Sequence, residues 1–195
     1  MTHPSISTER LVLTPYEMAD VGELHQVMSN PEVMRHIGQG ALSRAEVHDI
    51  VVRVVASWNE TGMGWWTIRL SASARLIGQI CLRPDKDVGE VAVGYALDVG
   101  YWRQGLAREA LEAVVGYGFR ERSLQRIVAT VRPENTASRT LLERCRFVRE
   151  PDLFLRNKTL CLYARQIASA ADRTPRGPHS TAAMHRDGVV HGADA

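Results

Sequence analysis

Residues 90–110 read EVAVGYALDVGYWRQGLAREA. Residues 90–97 are apolar or small and suit a strand, 98–104 carry the polar and glycine positions of a loop, and 105–122 are helical. In that helix Leu106, Ala110, Leu111, Val114, Val115 and Phe119 form one apolar stripe. The strand-to-helix junction is Arg103-Gln104-Gly105-Leu106-Ala107. The first turn of a helix offers backbone N–H groups without partners and the positive end of the dipole. Gly105 lets backbone approach a ligand, Ala107 keeps the surface small, and Arg103 and Arg108 add positive charge. Such a junction holds a diphosphate without a P-loop lysine, although the same five residues also describe an ordinary strand-to-helix turn. Neither GxGxxG nor GxxxxGK[ST] is present, so nicotinamide and ATP chemistry lose support.

Working outward, residues 10–14 read as a short strand and 17–28 as a helix, with Met18, Val21, Leu24, Val27 and Met28 at helical spacing and Asn30-Pro31 closing it. Residues 32–37 form a helical turn. A longer helix starts at Ser43, with Glu46 completing a capping box, and runs to about residue 60 before Gly62 and Gly64. Strands at 65–70 and 76–82 form a hairpin through 71–74, residues 84–87 turn, and 90–97 is the third strand of this block. A strand at 126–131, a helix at 135–145 capped by Asn135, and strands at 147–150 and 159–163 follow. This order predicts a single α/β (α+β) domain over residues 1–167 with a mixed sheet flanked by helices. Residues 168–195 are rich in Ala, Gly, Ser, Pro, Arg and His without apolar period and read as a disordered tail.

The chain has 195 residues, 45% hydrophobic and 24% charged, with a net charge of +2. That suits one globular domain, and near-neutrality gives no reason to expect nucleic acid or an anionic membrane as partner. Cys81, Cys145 and Cys161 lie in apolar stretches without CxxC spacing, which points to reduced core thiols and no metal. The first ten residues lack an apolar signal core, no run approaches a membrane span, and a cytoplasmic location is expected.

Gly94-Tyr95, the Asp98 turn, Tyr101-Trp102, Gln104-Gly105-Leu106-Ala107 and Glu109-Ala110 together resemble the acetyl-CoA loop of the GNAT superfamily. The likeness is greatest to the ribosomal-protein N-terminal acetyltransferase (Rim-type) branch. Three further stretches resemble that branch in order and spacing: Thr8-Glu9-Arg10-Leu11 with Asn30-Pro31-Glu32-Val33-Met34, then Leu76-Ile77-Gly78, then Asn135-Thr136-Ala137-Ser138 leading to Leu141-Leu142-Glu143-Arg144 and Phe147. The resemblance covers about residues 7–166. It implies a splayed sheet with acetyl-CoA, as co-substrate, between two parallel strands, and direct attack of a neutral primary amine on the thioester. N–H groups of Tyr95, Ala96 and Leu97 would meet the pantetheine arm or the oxyanion, Arg103, Gln104, Gly105, Leu106 and Ala107 the pyrophosphate, and Asn135 and Ser138 the pantetheine. Several positions depart from the pattern. Trp102 starts the loop, Arg103 and Arg146 replace usual glycines, Ala92 stands where a Glu is frequent, and Leu142 where a Tyr is.

Two residues are candidates for proton transfer. Glu90 shares a strand face with Ala92 and would act as base through water; its other reading is a solvated strand-end charge. Ser138 would protonate the leaving thiolate, or would only contact the cofactor. His36 follows the first helices and reads as a partly exposed side chain, Trp65 and Trp66 as core and cleft wall, and His179, His185 and His191 as incidental tail residues. The acceptor would be a protein N-terminus or a small amine, and the chain a monomer or homodimer. A different class remains open: an acyl-CoA-binding sensor that has lost turnover, a reading favoured by Arg146 and by the absent Tyr and Glu.

Overall fold

The computed structural model describes residues 3–155 and 157–167. The segment read as a tail, 168–195, lies outside the described residues. Eight strands form one sheet: β1 (Ile6–Ser7), β2 (Leu11–Pro15), β3 (Gly64–Leu70), β4 (Leu76–Asp85), β5 (Glu90–Leu97), β6 (Arg126–Val131), β7 (Val148–Leu155) and β8 (Lys158–Gln166). The helices are α1 (Val21–Met28), α2 (Pro31–Met34), α3 (Arg44–Thr61), α4 (Leu106–Glu121) and α5 (Thr136–Arg144). Strand order is β1-β2-β3-β4-β5-β6-β8-β7. Every neighbouring pair is antiparallel except β5 and β6. The mixed, helix-flanked sheet is the one expected. None of the described helices is long and apolar enough to cross a membrane.

Two strands run further than the sequence suggests by passing through a proline. β4 continues past Pro84, which stands opposite Val91. Asp98 donates to Ile77 O at 2.8 Å, so by antiparallel alternation the odd-numbered residues of β4 bond to β5. Pro84 therefore turns its missing N–H toward β3, which starts opposite Leu82 and offers no partner there. β7 runs through Pro151 because it is the sheet's edge and bulges between Glu150 and Leu153.

The core lies on both faces of β2–β6. On one face Trp66, Ile80 and Tyr95 stand side by side across three strands. α4 packs there: Tyr117 meets Trp66 edge-on with ring centroids 5.6 Å apart, and a Cβ on Gly118 would touch Leu82 and Ile127. α5 joins the same face, since Tyr163 donates to Glu143 at 2.9 Å. Arg165 ties the two helices together, bonding Glu112 at 2.6 Å and Cys145 O at 3.0 Å. On the other face Tyr16 donates to Gln79, and its ring lies 6.1 Å from that of Trp65. β4 and β5 approach so closely that a Cβ on Gly78 would collide with Ala96 O.

Helix α5 ends where Arg146 takes φ +63°. Phe147 N bonds Leu142 O and Arg146 N bonds Glu143 O, both at 3.0 Å. This is a Schellman closure with Arg146 at the left-handed position that glycine normally fills. The backbone is thus the one a glycine would make, carried by a residue that adopts it at a cost. Arg146→Gly should raise stability by about 1 kcal/mol, the steric relief outweighing the extra unfolded-chain entropy of glycine. At this chain length that is ~2–4 °C in melting temperature. An unchanged or lower melting temperature would show that the arginine side chain contributes contacts that offset the strain.

Candidate active site

The site begins where β5 and β6 part. Their parallel pairing has a single bridge, Ala92 opposite Val128. On the near side of that bridge the strands are tied by side chains: Arg126 Nε donates to Glu90 at 2.7 Å and its two Nη groups to Glu150 at 2.7 and 2.8 Å. On the far side no further residues pair, although β5 runs on to Leu97 and β6 to Val131. Ligands of open α/β sheets bind outside the carboxyl ends of the strands, and this gap lies there.

The alternation set by Asp98 and Ile77 determines which amides face this gap. Even-numbered residues of β5 bond to β4, so Ala96 turns its amide toward Gln79. Tyr95 and Leu97 turn theirs away from β4, into the gap. The Leu97 carbonyl is taken by the Trp102 indole, which donates to it at 2.8 Å. Of the three amides suggested by sequence, two are therefore aimed into the gap, and Ala96 is directed into the sheet.

At the mouth of the gap stands the N-terminus of α4. Gly105 is its N-cap residue, with φ +79° and no side-chain cap. The first helical bond is from Glu109 N to Gly105 O at 3.1 Å. That leaves the amides of Gly105, Leu106, Ala107 and Arg108 without intrahelical partners. Arg103 holds φ +60°, so the arginine in a glycine's place keeps the loop geometry. Arg103, Gln104 and Gly105 are exposed, Ala107 is half-buried and Leu106 is buried. The sequence reading gave Gly105 the task of opening space for a ligand. In the structure the side on which a Cβ would stand faces Arg10, whose Nη2 would lie 3.4 Å from it.

The N-terminus of α5 closes the site from the other side. Asn135 accepts from Ser138 N at 3.1 Å and so caps α5. This uses the amide oxygen of Asn135 and leaves its NH2 available to a ligand. Ser138 Oγ lies 2.9 Å from the Tyr95 hydroxyl. Burial pushes the Tyr95 hydroxyl well above its ordinary value, against the opposing bond from Ser138, so it stays protonated at neutral pH. The phenol was not singled out from sequence as a reacting group. Strand alternation alone places it on the α4–α5 face, but nothing local in the sequence says that Ser138 meets it.

Glu90 is not brought to this cluster. At ~3.3 Å per residue the strand carries it roughly 16 Å from Tyr95, at the closed end of the gap and engaged with Arg126. His36 is half-buried in the loop after α2. Arg132, just beyond β6, fastens that loop by bonds to Arg35 O at 3.4 Å and Gly38 O at 2.8 Å. On this face of β5 the side chains are small, Ala92, Gly94 and Ala96, with Cys81 behind them. Burial holds the Cys81 thiol up at about 11, so it stays a neutral packing group. Among the described residues no cluster of His, Cys, Asp and Glu has the make-up of a metal site.

A parallel strand pair joined by a single bridge and flanked by two helix N-termini on one face suits an anionic ligand. Residues 10–148 match the acetyltransferase (GNAT) domain family, and the chain belongs to that family. It is 30% identical to the uncharacterized N-acetyltransferase p20 of Bacillus licheniformis over 75% of this chain and 83% of that one. Identity to the uncharacterized N-acetyltransferase YoaA of Bacillus subtilis is 31%, over 75% and 84%. Among solved structures, an acetyltransferase from Agrobacterium tumefaciens superposes with a TM-score of 0.75 at 28% identity, covering 86% of this chain and 96% of that one. RimL, a ribosomal L7/L12 alpha-N-protein acetyltransferase solved in complex with coenzyme A, shares the fold with a TM-score of 0.73 at 21% identity, covering 84% and 98%. The protein is accordingly an acetyl-transferring enzyme.

Proposed function

We propose that this enzyme takes its acetyl group from acetyl-CoA and passes it to a primary amine by direct attack within the gap between β5 and β6. The observation that carries the reading is the parting of the two strands beyond the Ala92–Val128 bridge, with the free amides of α4 at its mouth. The amides of residues 105–108 bind the pyrophosphate as an anion at a helix N-terminus. The pantetheine arm enters the gap, where the amides of Tyr95 and Leu97 pair with it and stabilise the oxyanion as the thioester carbonyl becomes tetrahedral. The amine approaches from the Ala92–Gly94–Ala96 face, beneath the loop that Arg132 holds. When the intermediate collapses, the C–S bond breaks and Ser138 gives its proton to the departing thiolate, with Tyr95 orienting the hydroxyl; the proton shed by the attacking nitrogen passes through water and restores the Ser138 hydroxyl. Asn135 offers its NH2 to the pantetheine. RimL, a protein of the same fold, is solved in complex with coenzyme A, which supports the choice of donor.

Positioning supplies most of the acceleration in this scheme, in which no carboxylate is given a proton to carry. Glu90 in this reading is a strand clamp. Glu90→Gln should then leave kcat within about twofold, since no proton passes through it, and should lower the melting temperature by ~2–4 °C through loss of a half-exposed ion pair worth about 1 kcal/mol. A fall in kcat of about a hundredfold or more with a displaced pH profile would restore Glu90 as the base.

The alternative of a sensor without turnover rested on Arg146 and the missing Tyr and Glu. Arg146 preserves the glycine-like turn, and Tyr95 with Ser138 supplies a hydroxyl pair where the family's usual Tyr is replaced by Leu142. The Rim-type resemblance favours an α-amine of a protein N-terminus over a small amine. The experiment is release of coenzyme A thiol from acetyl-CoA, scored against a panel of N-terminal peptides, polyamines and aminoglycosides. Turnover with peptides alone supports the protein-acceptor branch, turnover with small amines alone selects the other, and silence across the panel with tight acetyl-CoA binding would revive the sensor reading.

A further inference from the structure

A carboxylate that accepts three bonds stands in the first turn of the site's own helix. Glu109, in the first turn of α4, accepts from the Thr8 hydroxyl at 2.6 Å, from the Arg10 amide at 2.8 Å and from Arg10 Nε at 2.7 Å. Burial alone would raise its carboxyl, but the bonds from Thr8, the Arg10 amide and the Arg10 guanidinium outweigh it and hold it below its ordinary value. Arg10 then reaches past Glu109, and its Nη1 donates to Gln104 O at 3.0 Å. Strand β2, which starts at Leu11, is itself fixed in the sheet by its ladder with β3, so Arg10 is anchored from behind. Ser71 N adds a bond to Arg10 O at 3.0 Å.

The Gln104 carbonyl and the Gly105 N–H belong to one planar trans peptide and point in opposite directions. A guanidinium that holds the carbonyl from one side therefore aims the N–H out of the other. The same contact polarises that amide and makes it a better donor. Arg10 Nη2 stands over the open side of Gly105, so the residue whose left-handed φ starts the helix is braced where a side chain would be.

We propose that Arg10 is a positioning residue for the donor: it sets the orientation of the Gly105 amide, and through Glu109 the first turn of α4, so that the loop is an anion site before any ligand arrives. The proposal rests on the reading that acetyl-CoA binds at residues 105–108. The guanidinium also offsets the Glu109 carboxylate, which would otherwise place a bare negative charge where the pyrophosphate must sit.

The test is calorimetric titration of acetyl-CoA and of S-acetylpantetheine, which has the thioester arm but no pyrophosphate, into the parent, Arg10→Met and Arg10→Lys, with melting curves of all three without ligand. Arg10→Met should bind acetyl-CoA about tenfold or more weakly, with S-acetylpantetheine affected equally little in parent and variant. Arg10→Lys should recover part of the loss, because an ammonium offsets Glu109 but lacks the fork that also holds Gln104 O. Arg10→Met binding acetyl-CoA like the parent, or both ligands weakened in parallel with a collapsed melting curve, would overturn the proposal and leave Arg10 a fold contact. A parent that does not bind acetyl-CoA would instead refute the reading of the site, independently of Arg10.

Discussion

Gly105→Asp is expected to bind acetyl-CoA about a hundredfold or more weakly than the parent while keeping its fold. Gly105 sits at φ +79° as the N-cap residue of α4, and the direction of an added side chain leads to Arg10 Nη2. An aspartate there finds two favourable interactions in the empty protein, one with the helix dipole and one with the Arg10 guanidinium. Aspartate also tolerates the left-handed region better than most residues. The helix should therefore form as before. The carboxylate, however, cancels the Arg10 charge beside the anion's seat, and Arg10 is drawn away from Gln104 O, which releases the Gly105 amide from its aim. Gly105→Ala introduces the backbone strain without the charge and should fall between parent and Asp variant. Calorimetry gives the affinities and circular dichroism the fold. A folded Asp variant with parental affinity would mean that the junction at 103–107 is an ordinary turn.

Ser138→Ala should lower kcat roughly 10–100-fold and change acetyl-CoA affinity less than about threefold. The hydroxyl stands 2.9 Å from Tyr95 and contacts no reacting atom until sulfur begins to leave. An interaction realised only in the transition state acts on kcat. Alanine favours the helix, so α5 should persist, and the bond that caps it uses the Ser138 backbone N–H, which the substitution keeps. Tyr95→Phe should lower the same parameter by less, because it removes the group that orients the acid and not the acid itself. Equal losses in affinity and rate would make Ser138 a cofactor contact only. The readout is steady-state turnover with the acceptor found by the amine panel, alongside calorimetry with acetyl-CoA.

Much of this architecture was legible in local pattern. The α4 stripe, the Ser43–Glu46 capping box and the Asn135 cap are all formed, because each depends on residues within one or two turns of each other. Pro84 and Pro151 misled for a definite reason. A proline ends a strand only if its N–H was needed, and whether it is needed depends on which neighbour lies on that side. The site was legible as a set of segments and not as a geometry. The loop and both helix starts could be marked in the sequence. Which β5 amides face the gap follows from the β4 register, which no short window contains. Glu90 could be read as a base or as a strand-end charge until Arg126 of β6, held in turn by Glu150 of β7, engaged it. Arg10 and Glu109 are linked across most of the domain's length and carry no local signal that they meet. Arg103 and Arg146 departed from a glycine pattern in letters while keeping its backbone angles.

The central claim concerns where the donor lies, and a crystal structure of the parent protein with acetyl-CoA tests it most directly. The account predicts the pyrophosphate on the amides of residues 105–108, the thioester between β5 and β6 with its carbonyl oxygen within hydrogen-bond distance of the Tyr95 or Leu97 N–H, and the sulfur near Ser138 Oγ. Acetyl-CoA seated elsewhere would contradict it, above all in the open hollow of about 560 Å³ that Pro4, Ile6, Tyr117 and Arg120 help to line at the far edge of α4.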